Sequence, residues 1–537
     1  DAGRTVARIA NYINGTPSGS TTPYIGDDDV YTRYVYTNGL QTKMWVDLDG
    51  DNVEDADDQV TSYTYGVIKS SLPDSKVASN RLLAKVTYPP QYSMQPAADR
   101  EVEYAYNALG QQIYVEDQAG NIIEQEYDTG GRLTARDATT INTGAGYDDF
   151  VERIETAYNN RGLVSGVKQL SGATVRDEVQ YTYDGWSPAN LTEFEQDVDS
   201  AIGGSGRAAF SVQYSLSKYA AGGARRTVAR DTMTMPDSTV VQYSYDTAVR
   251  MQEFEANSIK LAQYEYLGAG MLVRSEHPEP NLLMKQFSST LGIYPDLDEF
   301  NRITSSRWTA LSASHDIYDV DVTYDIAGNI TSTTDNIRKN GSGNRIFDVA
   351  YTMDGLHRLI KAEEGTVSAA AYSANRRVVE EWGLTQTGNF RTNQCSLDGN
   401  TSYADTGDVD DTRTHNPDNS IEDWAPTGST YTAAYDLTGN MTDDDCDYTF
   451  KYDVFGRLVS TENKLSKTAT EYRYNGLGYR IGWHYDVDLD GDLEATSDDP
   501  WIYNCYDERW RIVATFVASQ STPKEQFYYH AAGLGGL

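Results

Sequence analysis

The chain has 537 residues and a formal charge of −36, from 80 Asp and Glu against 44 Lys and Arg. That balance repels polyanions, which excludes nucleic acid as a partner and disfavours docking on anionic lipid. Acidic chains poor in aromatics stay disordered, but 41 Tyr, 12 Phe and 8 Trp stand here beside alternating Val, Ile and Thr, so the sequence predicts a folded protein made mostly of strands.

The chain opens on Asp1-Ala2-Gly3-Arg4-Thr5, with neither a starting Met nor a charged-then-apolar leader, and reads as a piece of a longer polypeptide. No run of about 18 apolar residues occurs, so no segment is expected to insert into a bilayer. Residues 1–100 read as degenerate strands, in which a repeat begins at Tyr34-Val35-Tyr36-Thr37-Asn38-Gly39. Residues 101–537 carry that repeat to the end of the chain without a clear boundary.

The repeat is a phrase: Tyr, then Asp or Asn, two variable residues, Gly, one or two polar residues and an aliphatic one. Clear copies begin at Tyr106-Asn107, Tyr127-Asp128, Tyr324-Asp325, Tyr435-Asp436 and Tyr452-Asp453. Looser copies stand at Tyr158-Asn159, Tyr183-Asp184, Tyr245-Asp246, Tyr266, Asp298, Asp354, Tyr474-Asn475 and Tyr506-Asp507, and the long gaps after Tyr183 and Asp354 are expected to hide further ones. Ahead of the phrase, alternation such as Val102-Glu103-Tyr104-Ala105-Tyr106 puts Tyr residues two apart on one face of a strand. Asp or Asn then opens a turn by bonding its own backbone downstream, Gly supplies a positive φ, and Arg-Leu or Asn-Ile starts the return strand. Each unit is thus a β-hairpin with an Asx-type turn. A lone hairpin cannot bury a face, so the units should stack edge to edge in one sheet. Only Val367–Glu381 has the Ala content for a short helix, and its Val378-Val379 suits a strand equally well.

With these Tyr-Asp-x-x-Gly-Arg-Leu and Tyr-Asp-x-x-Gly-Asn-Ile forms, the sequence resembles the Rhs or YD-repeat family, as found in bacterial Rhs proteins, the shell components of insecticidal toxin complexes and the teneurins. The resemblance implies an all-β fold in which repeated hairpins form a continuous spiralling sheet, a β-shell, that encloses a polypeptide or serves in adhesion. Toxin-bearing relatives end their shell in a segment whose aspartates cleave the chain. No such segment precedes Leu537, so neither a proteolytic aspartate nor a toxin activity is carried over.

The sharpest signal outside the repeat is acidic: Asp486, Asp488, Asp490, Asp492 and Glu494, with Gly491 among them and Asp498 following. Oxygen ligands two residues apart beside a Gly can wrap one hard cation, so these six are the candidate calcium ligands. Ser497 stands where a helix-loop-helix calcium motif requires Glu, which points to a bare loop between strands. A related stretch runs from Asp47 through Asp49, Asp51, Glu54, Asp55 and Asp57 to Asp58, although aligning its Gly puts Trp45 where the first Asp ligand should be. Both could equally be solvated turns on an acidic surface.

His277, His315, His357, His415, His484 and His530 have no metal-ligand spacing and read as surface or turn residues. Cys395, Cys446 and Cys505 match no zinc or redox motif. The recurrent Tyr could stack on sugars, but one Tyr per hairpin fits a structural role, with its ring on the next unit and its hydroxyl bonded across the turn. Asn14, Asn190, Asn329, Asn400 and Asn440 fit the glycosylation pattern, which the repeat itself generates. No nucleophile elbow, phosphate loop or zinc-protease motif occurs. The expectation is a non-enzymatic extracellular or cell-surface shell that holds an encapsulated polypeptide or meets a surface protein or glycan, and that can self-associate through sheet edges. The alternatives are a toxin-delivery shell whose effector lies beyond residue 537 and a carbohydrate-binding or carbohydrate-active protein.

Overall fold

The structure is a computed structural model, described here for all residues except 1–2, 11–29, 49–52, 56–57, 71–72, 93, 205–206, 221–225, 287–292, 401, 427–428, 488–492, 494–498, 519 and 530–537. The described residues contain no α-helix; apart from short 3-10 turns at Ala97–Arg100 and Thr143–Ala145, the regular elements are strands. None of them is a helix long and apolar enough to cross a membrane.

The chain divides into two compact units whose segments alternate along the sequence. The first comprises Asp1–Ile123, Asp298–Ser305 and Asp319–Cys446, and the second Glu124–Leu297, Ser306–Tyr318 and Asp447–Leu537. In the first, the strands Val30–Thr37, Leu40–Val46, Gln59–Val67, Ser79–Thr87, Glu101–Tyr106 and Gln112–Glu116 pair antiparallel, each with the next. The stretch from Asp348–Met353 to Tyr431–Thr432 continues in the same manner. Val367–Glu381 is strand: Leu359–Ser368 and Ala371–Leu384 form a hairpin around Ala369-Ala370, both at positive φ, as a two-residue hairpin turn requires.

The second unit contains two such ladders. One runs from Arg153–Tyr158 to Leu282–Lys285, and the other from Tyr448–Tyr452 to Glu525–Gln526. They share a core in which Phe194 meets Trp510 edge-on at 5.7 Å and Phe210 stacks on Phe516 at 4.6 Å. Burial of such aromatic faces is the driving force that a single hairpin lacks. The cysteines stand as thiols, with Cys505 inside this core.

Hairpins closed by the Tyr phrase share an irregularity. The register slips by one residue just before the turn, between Ala105 and Tyr106, Thr323 and Tyr324, Lys451 and Tyr452, and Arg473 and Tyr474. The bulge increases the local twist and aims the Tyr out of the ladder. After it, the turn residue three beyond the Asp or Asn lies in the left-handed region: Gly131 at φ 79°, Gly328 at 96° and Gly456 at 74°. Val249 occupies the same place at φ 61°, where a β-branched side chain is strained. That strain costs about 1–3 kcal/mol, whereas the extra backbone freedom of glycine in the unfolded chain costs about 0.5–1 kcal/mol. Val249→Gly is therefore expected to stabilise the protein by about 1 kcal/mol, read as a higher urea midpoint, and Gly131→Val to lower it.

Candidate functional site

The repeating turn is built around one side chain. In Asp128, Oδ1 accepts the N–H groups of Gly130 at 2.8 Å and Arg132 at 3.0 Å, and Oδ2 accepts Arg132 Nε at 2.7 Å. Two backbone bonds close the loop, Asp128 N–H to the Arg132 carbonyl and Gly131 N–H to the Asp128 carbonyl. The N–H of Arg132 and then its guanidinium hold the Asp128 carboxyl below the usual carboxylate range. The same construction recurs at Asp246, Asp298, Asp354, Asp453 and Asp507 with Arg, and at Asp325 and Asp436 with Asn in place of the Arg. It also appears where the phrase is degraded, at Asp117, Asn340 and Thr385, and its two backbone bonds recur at Asn416, where Asp418 takes over as acceptor of the Ser420 N–H. Thr385 and Asn416 fill the gap after Asp354, and a turn closed by Met235 N–H on the Thr239 carbonyl lies in the gap after Tyr183.

The turns are coupled in series. The Tyr hydroxyl does not bond across its own turn, as the sequence suggested, but reaches back to the first return-strand residues of the repeat before it. Tyr158 donates to the Leu133 carbonyl at 2.9 Å, Tyr266 to Met251 at 2.6 Å, Tyr324 to Ile303 at 2.7 Å and Tyr474 to Leu458 at 2.8 Å. The bulge places the ring for this reach. The turn Arg then lies over that same Tyr, with Arg132 4.6 Å from the Tyr158 ring, Arg250 5.1 Å from Tyr266 and Arg302 4.5 Å from Tyr324. Its outer nitrogen donates to a carbonyl of the following turn, as from Arg250 to Gly268 at 2.5 Å and from Arg358 to Thr385 at 2.8 Å. The recurrent Tyr is thus a structural residue.

In the second unit, turns of the late ladder meet strands of the early one. Arg457 Nη1 donates to Gln169 Oε1 at 2.7 Å, and the Gln169 amide donates to Asp177 and to the Tyr474 carbonyl. Burial pushes the Asp177 carboxyl up to about 7. Beside it is a cavity of about 330 Å³ lined by Phe150, Arg176, Arg473, Glu471 and Trp501. The guanidinium groups of Arg176 and Arg473 lie 4.3 and 5.1 Å from the Phe150 ring, and Arg473 lies 4.1 Å from Trp501. His484 stacks on Trp501 at 4.1 Å and bonds Glu471 at 3.1 Å, which holds the Glu471 carboxyl below its usual range. His484 is buried, which corrects its reading as a surface or turn residue: Trp501 covers the ring and Glu471 satisfies its nitrogen. The cavity draws on residues about 300 positions apart, so no local spacing could have revealed it.

Of the six candidate calcium ligands, Asp486 is buried at the end of the strand Arg480–Tyr485, and its N–H donates to the Ala469 carbonyl at 3.1 Å. Asp488, Asp490, Asp492, Glu494 and Asp498 lie outside the described residues. In the related stretch, Asp47 and Asp58 are buried, and Asp58 accepts the N–H of Leu48 at 2.9 Å; burial raises its carboxyl to about 6. Asn190, Asn329 and Asn440 each donate their amide to the Asp of their own turn, so a glycan on that nitrogen would compete with the turn. Asn14 lies outside the described residues.

No protein-family profile matches the chain, and no curated protein matches it by sequence. Among solved structures, the crystal structure of TcdB2-TccC3 aligns with a TM-score of 0.50 at 12% identity, over 93% of this chain and 28% of that one. TcdB2-TccC3 without its hypervariable C-terminal region aligns with a TM-score of 0.51, again at 12% identity and over the same shares. The likeness is one of fold. An Rhs-type β-shell fold, implied by the turn phrase, agrees with it, and the chain spans little more than a quarter of that protein.

Two outcomes follow from this geometry. Tyr266→Phe, which keeps the ring under Arg250 and removes the hydroxyl that bonds Met251, is expected to cost about 1 kcal/mol in urea unfolding, and Arg250→Ala about 2 kcal/mol. Asp177 binds its proton more tightly folded than unfolded, so its contribution is present below about pH 4 and is lost as pH rises through about 7. Asp177→Asn, which still accepts from Gln169, should therefore raise the urea midpoint at pH 8 relative to the unchanged protein and do so far less at pH 5.

Proposed function

We propose that this chain is a segment of a YD-repeat shell of the toxin-delivery kind, which works outside the producing cell, encloses a polypeptide cargo and performs no catalysis of its own. The observation that carries this reading is the fold likeness to TcdB2-TccC3 over 93% of the chain. One of the structures that share this fold is named as TcdB2-TccC3 without its hypervariable C-terminal region. A hairpin repeat whose turns satisfy their own polar groups and grip the next repeat suits a wall: it can be extended without a separate core for each unit. The charge of −36 suits a secreted protein that must stay soluble and leave anionic surfaces alone. A structural or adhesive scaffold shares the wall but not the cargo.

The test uses the natural polypeptide at its full length. Limited proteolysis should leave any segment that follows the repeats protected while the wall is intact, and degrade it once the wall is opened by mild denaturant. If that segment is cut as fast as the same segment made alone, or if the repeats lead only to a surface anchor, the cargo reading is overturned in favour of an adhesive scaffold.

A further inference from the structure

We infer that the loop between the strands Phe390–Ser396 and Val409–His415 binds one calcium ion through Asp398, Asp405 and Asp408. One carboxylate oxygen from each of the three lies within 4.8 Å of the others. Calcium binds oxygen at about 2.3–2.6 Å, so oxygens sharing one ion stand no more than about 5 Å apart, and this triad meets that limit.

Asp408 shows that the cluster is more than a solvated acidic turn. The residue is 8% exposed. Its Oδ1 accepts the Leu397 N–H at 2.8 Å, while Oδ2 is buried and has no hydrogen-bond partner. A buried carboxylate oxygen without a donor is costly unless a cation meets it. Among the described residues no Lys or Arg pairs with any of the three carboxylates, and the charge is met only by neutral groups. The Asn400 amide lies 2.7 Å from both Asp398 and Asp405, and the Ser396 hydroxyl 2.9 Å from Asp398.

The sequence around the site points the same way. Leu397-Asp398-Gly399-Asn400 repeats the form of Leu48-Asp49-Gly50-Asp51 and Leu489-Asp490-Gly491-Asp492. In all three loops an aliphatic N–H near the start, from Leu48, Leu397 or Val487, donates to the Asp that ends the loop, Asp58, Asp408 or Asp499. The third loop escapes a spacing rule because Asp405 and Asp408 follow Asp398 only after a gap. Carboxylates on an adaptable loop favour calcium over magnesium, which demands a tighter octahedron. This assignment does not depend on the shell reading.

Equilibrium dialysis of the whole chain against millimolar calcium, with magnesium as the control, tests it. Asp408→Asn keeps an acceptor for Leu397, and Asp405→Asn alters an exposed position, so the second variant folds even if the first does not. Each is expected to lose one bound calcium, or to bind it at least tenfold more weakly, and to lose part of the calcium-induced rise in urea midpoint. Calcium held elsewhere, as by the 486–498 loop, would persist in both variants. Equal calcium bound by folded Asp405→Asn and the unchanged chain would overturn the assignment, as would a chain that binds none.

Discussion

The fold depends above all on one side-chain acceptor, most often an Asp carboxylate, at the start of the repeating turn. One oxygen of Asp128 receives two backbone N–H groups, the other fixes the side chain of Arg132, and a five-residue loop is closed by its own hydrogen bonds. Because the turn is satisfied locally, its Arg is held in one orientation and can be lent to the neighbour, where it lies over Tyr158. Tyr158 in turn reaches back to Leu133. The two contacts run in opposite directions between the same pair of repeats. Each is worth about 1 kcal/mol, small beside the entropy of ordering a hairpin, but they recur at successive interfaces and add in the manner of a one-dimensional array.

A ladder of hairpins still needs to bury a face, and in the second unit polar groups decide how the two ladders meet. Gln169 and Gln196 are both buried and donate across to the late ladder, to the carbonyls of Tyr474 and Asn504. Gly476 packs so closely that a Cβ there would lie 2.5 Å from Val167. Apolar contact alone would tolerate sliding of one ladder on the other. Directional bonds from buried amides, with a turn glycine seated against Val167, select one register.

Much of this was legible in the residues, for a definite reason. Tyr-Asp-x-x-Gly names both the side-chain acceptor and the residue free to take a positive φ, so hairpins such as those at Asp128, Asp325 and Asp453 follow from local chemistry. The phrase fails where tertiary context substitutes for one of its parts. Thr385 uses a hydroxyl in place of the carboxylate, Asp117 has no Tyr before it, and Val249, His357 and Trp510 take the left-handed place without being glycine. Ala369-Ala370 hid a hairpin turn inside a stretch with helical composition. The coupling between turns and the cavity beside Asp177 were out of reach because they join residues tens to hundreds of positions apart.

The same division between local and distant determinants accounts for a fold shared at 12% identity. If packing specified each hairpin, strand residues would have to match in shape from one protein to another. Here the turn residue, the residue at positive φ and the linking Arg or Tyr carry the specification, and even these allow replacement by groups of like hydrogen-bonding chemistry. The intervening strand positions need only alternate. A ladder of hairpins built this way can vary its strand faces almost freely while keeping its backbone, because the groups that fix each turn lie outside those faces.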